Sequence, residues 1–286
     1  MRTYKVRNAG PVVRARDVIK ANKRQFVTLC ALVAAAVLVI FAVAGVADRS
    51  EYGSSFLVTG DTVKIGIRTD VNAFGHYDES GDIVGFDRDV IDEIMSRMMA
   101  GQDKLYEYVS ITSQDAGASI KYGETNVNLG LLVGGTERTE GFRVTAPYYK
   151  DNIVAVVHSS SVLDKLINLD GGKVGALNKA LNEDELRAYL SDNEIIEETD
   201  LLRYSDYESA MTDIEHGRVD AVVMPYALAR QFEERGYRVL AEPLYEIGYS
   251  VMLPTGQAAF AREMSKVIAG LEEDGTLAAL REKWGL

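Results

Sequence analysis

The longest uninterrupted apolar run in the chain is Phe26–Val46, FVTLCALVAAAVLVIFAVAGV, 21 residues without a charge. As a helix it would be about 30 Å long, enough to cross the hydrocarbon core of a bilayer. Eight basic residues precede it and Asp48 follows. The positive-inside tendency then predicts a cytoplasmic tail over 1–25, a membrane-spanning anchor over 26–46 and the remainder of the chain outside. A cleaved secretory signal is the alternative, since Ala42-Val43-Ala44 and Val46-Ala47 offer small-residue cleavage sites, although the run is longer than the usual signal core. Both readings export residues 48–286.

Residues 47–61 are polar and rich in Gly and Ser, as a short linker would be. Beyond them the hydrophobic period alternates between two and about 3.6 residues, the mark of an α/β fold. TVKIGIR (62–68) predicts a strand, and Phe86, Val90, Ile91, Ile94, Met95 and Met98 recur at helical spacing, predicting an amphipathic helix over roughly 87–99. Ile153–Val157, Lys173–Leu177 and Val219–Met224 are further short apolar runs. Tyr207, Ala210, Met211 and Ile214 mark a helix that stops at Gly217. Two segments share one plan: SIKYGETNVNLGLL (119–132) and DIEHGRVDAVVM (213–224) each run from a helix end through Gly, two residues and Asn or Asp into an apolar strand. Two related structural halves would explain the echo; a coincidence of common α/β turns is the alternative.

Charge sharpens the picture. Residues 1–47 hold eight basic side chains and one acid; removing them from the totals of 31 and 43 leaves 23 basic and 42 acidic residues, a net of −19 outside the membrane. So acidic a body repels nucleic-acid phosphates. The single cysteine, Cys30, lies in the apolar run, so no intrachain disulfide forms and no thiolate nucleophile exists in 48–286. With three histidines in the chain, a Cys/His zinc site is not expected, and no phosphate loop, nucleophile elbow, zinc-protease or dinucleotide motif occurs. No cofactor is expected.

Four segments, in order, resemble the type II periplasmic binding proteins, specifically the family 3 group that captures polar amino acids for ABC importers. They are KIGIRTDVNAFGHYDESGDIVGFDRDVIDEI (64–94), TERTEGFRVTAPYY (136–149), GRVDAVVM (217–224) and LEEDGTLAALREKWGL (271–286). The resemblance implies two α/β lobes joined by a two-strand hinge: lobe 1 from 62–150 and 246–286, lobe 2 from 151–245, with a ligand cleft between them. It also implies a monomeric receptor domain that binds a small-molecule ligand and delivers it to an ABC permease.

Within that resemblance, Arg138 falls where the family clamps the ligand's α-carboxylate. A guanidinium suits the task because its planar fork pairs both oxygens and stays charged near neutral pH. Phe74 would stack on the ligand or wall the cleft, and Arg68 would add a second cation, arguing against a basic ligand. Backbone N–H groups near Val133 and Gly134 could serve the carboxylate, while Asn178, Lys179 and Tyr226 are candidate contacts from lobe 2. Surface or core roles are the ordinary alternative for each.

The departures from the family pattern carry as much information. Hydroxyl residues expected before the clamp are Leu131 and Val133 here, a lobe 2 Gly-Thr is Lys179-Ala180, and the carboxylate that receives the α-ammonium is Pro225. An unpaired buried ammonium is costly. The expected ligand is therefore a carboxylate-bearing, anionic or neutral solute. Two other functions are to be weighed: a cyclohexadienyl-dehydratase-like enzyme on the same scaffold, with Glu137 or Asp70 as the acid, and a sensor or assembly protein that has lost the amino-acid site.

Overall fold

The computed structural model of the protein describes residues 62–99, 105–169, 171–195 and 201–286. The expected tail, anchor and linker lie outside the described residues. Among the described residues no helix is long and apolar enough to cross a membrane.

The strand expected over 62–68 forms as β1 (Thr62–Arg68), with Val63, Ile65 and Ile67 buried. The short antiparallel hairpin β2 (His76–Tyr77) and β3 (Ile83–Val84) follows it, and β1 pairs in parallel with β4 (Leu105–Ile111) and β5 (Val127–Asn128). The chain then runs through β6 (Arg143–Val144) into the long β7 (Tyr149–His158). A second parallel set follows, β8 (Val174–Leu177) between β9 (Leu201–Tyr204) and β10 (Ala221–Pro225). β11 (Tyr237–Val239) and β12 (Tyr245–Tyr249) both pair antiparallel with β7, and β13 (Met252–Leu253) returns to pair with β5 and β6.

Two larger mixed sheets result beside the β2-β3 hairpin. One has the order β4-β1-β5-β13-β6; the other has β11-β7-β10-β8-β9, with β12 alongside β7. The chain passes between them along β7 and β12, which face each other from Tyr245↔Ile153 to Tyr249↔Tyr149. Where they leave the first sheet, Tyr148 N donates to Tyr249 O at 2.8 Å and Ser250 N to Leu132 O at 2.9 Å.

The sequence explains the helices that cover these sheets. Helix α1 (Phe86–Met98) buries Phe86, Val90, Ile91, Ile94 and Met95 on one stripe, as its spacing predicts. Gly85 precedes it at φ 142°, and a Cβ there would lie 2.2 Å from the Phe74 carbonyl oxygen, so only glycine permits this entry. Helix α2 (Ala116–Lys121) follows β4, and α3 (Glu183–Asp192) starts at Asn182, whose side chain accepts from Glu185 N. Asp206 likewise caps α4 (Tyr207–Glu215), accepting from Ser209 N at 2.8 Å.

Helix α5 (Tyr226–Glu233) begins directly after Pro225. The C-terminal helices α6 (Ala258–Glu273) and α7 (Thr276–Trp284) pack on α1. Trp284 Nε1 and Lys283 Nζ both reach Asp89, at 2.6 and 2.7 Å, which ties the chain end to the first turn of α1.

Candidate functional site

In parallel α/β sheets, ligands collect at the carboxyl ends of the strands, where loops and helix N-termini converge. The residues around one cleft here come from those places. Arg68 ends β1, Ser113 follows β4, and Leu131 to Arg138 form the loop after β5. From the second sheet come Leu177 at the end of β8, Ala180 beyond it, Tyr207 at the start of α4, Pro225 at the end of β10 and Leu228 in α5. The empty space they enclose, open mouth included, is about 400 Å³.

Arg138 is half-buried in this cleft. Its Nη1 donates to Ser113 Oγ and its Nη2 to the carbonyl oxygen of Asn178 at 3.3 Å. One guanidinium thus touches groups from both sheets. Burial lowers its pKa from the ordinary arginine value; the nearby Tyr207 opposes that shift and Arg68 adds to it. Arg68 is nearly fully buried and holds Asp70 in a two-pronged pair, Nε to Oδ1 at 2.6 Å and Nη2 to Oδ2 at 2.9 Å. Burial pushes the Tyr207 hydroxyl up to about 12, while the charges of Arg68 and Arg138 pull it the other way. It therefore carries its proton at neutral pH.

The other sequence candidates divide between the cleft and its surroundings. Val133 lines the cleft beside Leu131 and Leu132, and its carbonyl oxygen accepts from the Thr136 and Thr139 hydroxyls at 2.9 and 3.1 Å. Gly134, next along, is exposed and is not part of the lining. Phe74 is fully buried in an aromatic cluster, edge-on to Phe86, Tyr149 and Tyr249 with centroids 5.1 to 5.7 Å away, and is likewise absent from the lining. Its ring packs the core under the start of β7.

Asn178 and Lys179 line a neighbouring hollow of about 250 Å³ beside α3. From there Asn178 offers its backbone oxygen to Arg138, and Lys179 Nζ reaches Glu137 Oε2 at 3.0 Å. Tyr226 is exposed at the first turn of α5, outside the lining. Leu131, Val133, Ala180 and Pro225, the apolar replacements for expected polar contacts, all face the cleft.

Three polar lining residues escaped the sequence reading. Ser113 sits in a polar turn with no distinguishing pattern, and Thr136 was subsumed in a polar stretch. Tyr207 was legible only as part of the apolar stripe of its helix. Its position on the first turn, just after the Asp206 cap, is what brings it to the cleft wall. Among the described residues no group of three or more His, Cys, Asp or Glu side chains could hold a metal ion.

The fold and the cleft place the chain among known proteins. The profile of the family described as "Bacterial extracellular solute-binding proteins, family 3" matches residues 63–286. The ABC transporter glutamine-binding protein GlnH of Bacillus subtilis is 24% identical over 228 residues, covering 78% of this chain and 81% of that protein. A crystal structure of a mutant arginine-binding protein from T. maritima superimposes with a TM-score of 0.61 at 23% identity, covering 80% of this chain and 96% of the other. An ancestral amino acid-binding protein, described as a precursor of cyclohexadienyl dehydratase, gives a TM-score of 0.60 at 17% identity, covering 80% of this chain and 97% of the other. These matches establish the fold as that of the type II periplasmic binding proteins, and the chain belongs to the bacterial extracellular solute-binding proteins of family 3.

Proposed function

We propose that this protein is the extracytoplasmic receptor of an ABC-type importer, anchored by a helix over 26–46, that captures a small amino-acid-like or carboxylate-bearing solute. The cleft lies between two lobes, 62–150 with 246–286 and 151–245, and β7 and β12 are the strands that bend as it opens and shuts. Closure follows from ligand energetics: a solute held by groups from both lobes stabilises the state in which both reach it.

One observation carries this reading. The cleft lining includes two guanidiniums, Arg68 and Arg138, and no carboxylate. The nearby acids are engaged, Asp70 by Arg68 and Glu137 by Lys179. A half-buried arginine bonded to a hydroxyl and a carbonyl leaves its positive charge to be met by an anion. The same lining supports a binding rather than a catalytic role, because a dehydratase needs a cleft acid to protonate the leaving hydroxyl.

The test is a thermal-shift screen of the full-length chain against amino acids and small carboxylates. A solute present at 100 times its Kd stabilises the folded state by about 2.7 kcal/mol, enough to raise the melting temperature measurably. Carboxylates should shift it and their amides should not; no shift from any member of the panel would contradict the receptor reading.

A further inference from the structure

The chemistry of the lining narrows the solute further. Arg68 is committed to Asp70 through both carboxylate oxygens. That leaves Arg138 as the lining cation whose charge no carboxylate balances among the described residues. One unmatched positive charge calls for one negative charge on the ligand. Of the other lining hydroxyls, Ser113 accepts from Arg138 and Thr136 donates to the Val133 carbonyl oxygen. The rest of the wall, which includes Leu131, Val133, Leu177, Ala180, Pro225 and Leu228, is apolar and would face the body of the ligand. An ammonium group in this space would find no carboxylate to receive it, and a buried unpaired charge is among the costliest arrangements a site can adopt.

Tyr207 supplies the remaining polar contact. Its hydroxyl is protonated at neutral pH and interacts with the charges of both Arg68 and Arg138, and it makes no hydrogen bond to any described residue. It enters from the second sheet, whereas Arg138 is fixed to the loop after β5. A protonated phenol without a partner can donate a hydrogen bond, and with the ligand's carboxylate engaged by Arg138 its acceptor would be a second, neutral oxygen.

We propose that the cleft selects a monocarboxylate with an apolar body and a neutral oxygen where an amino acid carries its ammonium, the carboxylate held by Arg138 and that oxygen accepting a hydrogen bond from Tyr207. α-Oxo acids with aliphatic or aromatic side chains have this chemistry. The inference rests on the reading of the cleft as a solute site, and its test separates the two.

The experiment is calorimetric titration of the full-length chain with matched pairs: ketoisocaproate and leucine, phenylpyruvate and phenylalanine, oxoglutarate and glutamate. At least one oxo acid of the first two pairs should bind tenfold or more tightly than its amino acid, and more tightly than oxoglutarate, whose second carboxylate has no cation left to meet. Tyr207→Phe should weaken the preferred oxo acid roughly tenfold, the worth of one hydrogen bond to a buried acceptor. The same variant should leave phenylpropionate, which lacks the oxo group, nearly unaffected, and a purely structural role could not produce that difference.

Tighter binding of the amino acid in every pair would overturn the proposed ligand class while leaving the receptor reading intact. Equal losses of phenylpyruvate and phenylpropionate in Tyr207→Phe, or no loss of either, would overturn the assignment of Tyr207. Silence from both members of every pair would overturn this inference alone if another carboxylate raises the melting temperature in the thermal-shift screen, and the receptor reading with it if none does.

Discussion

Tyr148 Oη donates to Asp87 Oδ1 at 2.7 Å in a fully buried pair that joins the first turn of α1 to the residue preceding β7. The second carboxylate oxygen, Oδ2, has no hydrogen-bond partner among the described residues. Burial raises the Asp87 pKa from 3.8 to about 7, against the lowering effects of Tyr148 and Arg68. A carboxyl with a raised folded pKa binds its proton more tightly in the native state. Its stabilising contribution is complete below about pH 4 and is lost as pH climbs towards about 7. The shift of about three pH units corresponds to on the order of 4 kcal/mol. Asp87→Asn should abolish that loss, so the wild-type denaturation midpoint should fall relative to the variant's between about pH 4.5 and about pH 7.5. Parallel profiles for the two proteins would refute the buried-proton account.

Asn126 and Asp220 hold equivalent positions in the two sheets. Asn126 Oδ1 accepts from Lys64 N at 2.9 Å and its own N–H donates to Lys64 O at 2.8 Å. Asp220 repeats both bonds on Lys173, at 2.8 and 2.9 Å. Three residues before each stands a glycine in the left-handed region, Gly123 at φ 73° and Gly217 at φ 65°. Asn126→Ala and Asp220→Ala should each cost about 1 kcal/mol in urea denaturation, and the double variant should lose close to the sum, since the two sites share no partner. A large deviation from additivity would show that they are not independent.

The Asn126–Asp220 correspondence also marks what the sequence could and could not disclose. The echo between 119–132 and 213–224 was visible because Gly and Asn or Asp are the residues that a helix stop and a strand clamp require, whatever the packing above them. β1 appears with the bounds its alternation predicts, and α1 differs by one residue at each end, because a buried stripe is written directly into the periodicity. Strand β4, LYEYVSI, was missed: all its residues but Ile111 are exposed or half-exposed, so its pairing with β1 leaves little apolar signature.

The cleft was legible only in part. Arg138 carried a motif and Val133 was placed by its spacing from it, whereas Tyr207 and Ser113 reach the cleft through tertiary placement that no local pattern encodes. Phe74 illustrates the converse, since the same aromatic in the same loop can face a cleft or the core, and here the Phe86, Tyr149 and Tyr249 rings take it.

The Lys179–Glu137 pair, 3.0 Å apart, links the segment after β8 to the loop that carries Arg138. Both side chains are more than half exposed, so the pair is worth at most about 1 kcal/mol. Glu137→Gln should therefore change the melting temperature little. It should weaken binding of a carboxylate solute by up to about fivefold if the pair favours the shut form, and that loss should vanish in high salt. Calorimetry at low and high ionic strength distinguishes this from an effect on Arg138 itself, which would survive the salt.

Everything proposed for the cleft depends on Arg138 meeting a negative charge from a ligand. The most direct measurement is calorimetric titration of the full-length chain and of Arg138→Ala with whichever carboxylate from the screen binds best. Loss of a charge-assisted pair of hydrogen bonds should weaken binding by roughly a hundredfold, with Arg138→Lys recovering only part of it because an ammonium lacks the planar fork. An Arg138→Ala protein that remained folded and bound the same carboxylate with undiminished affinity would contradict the account.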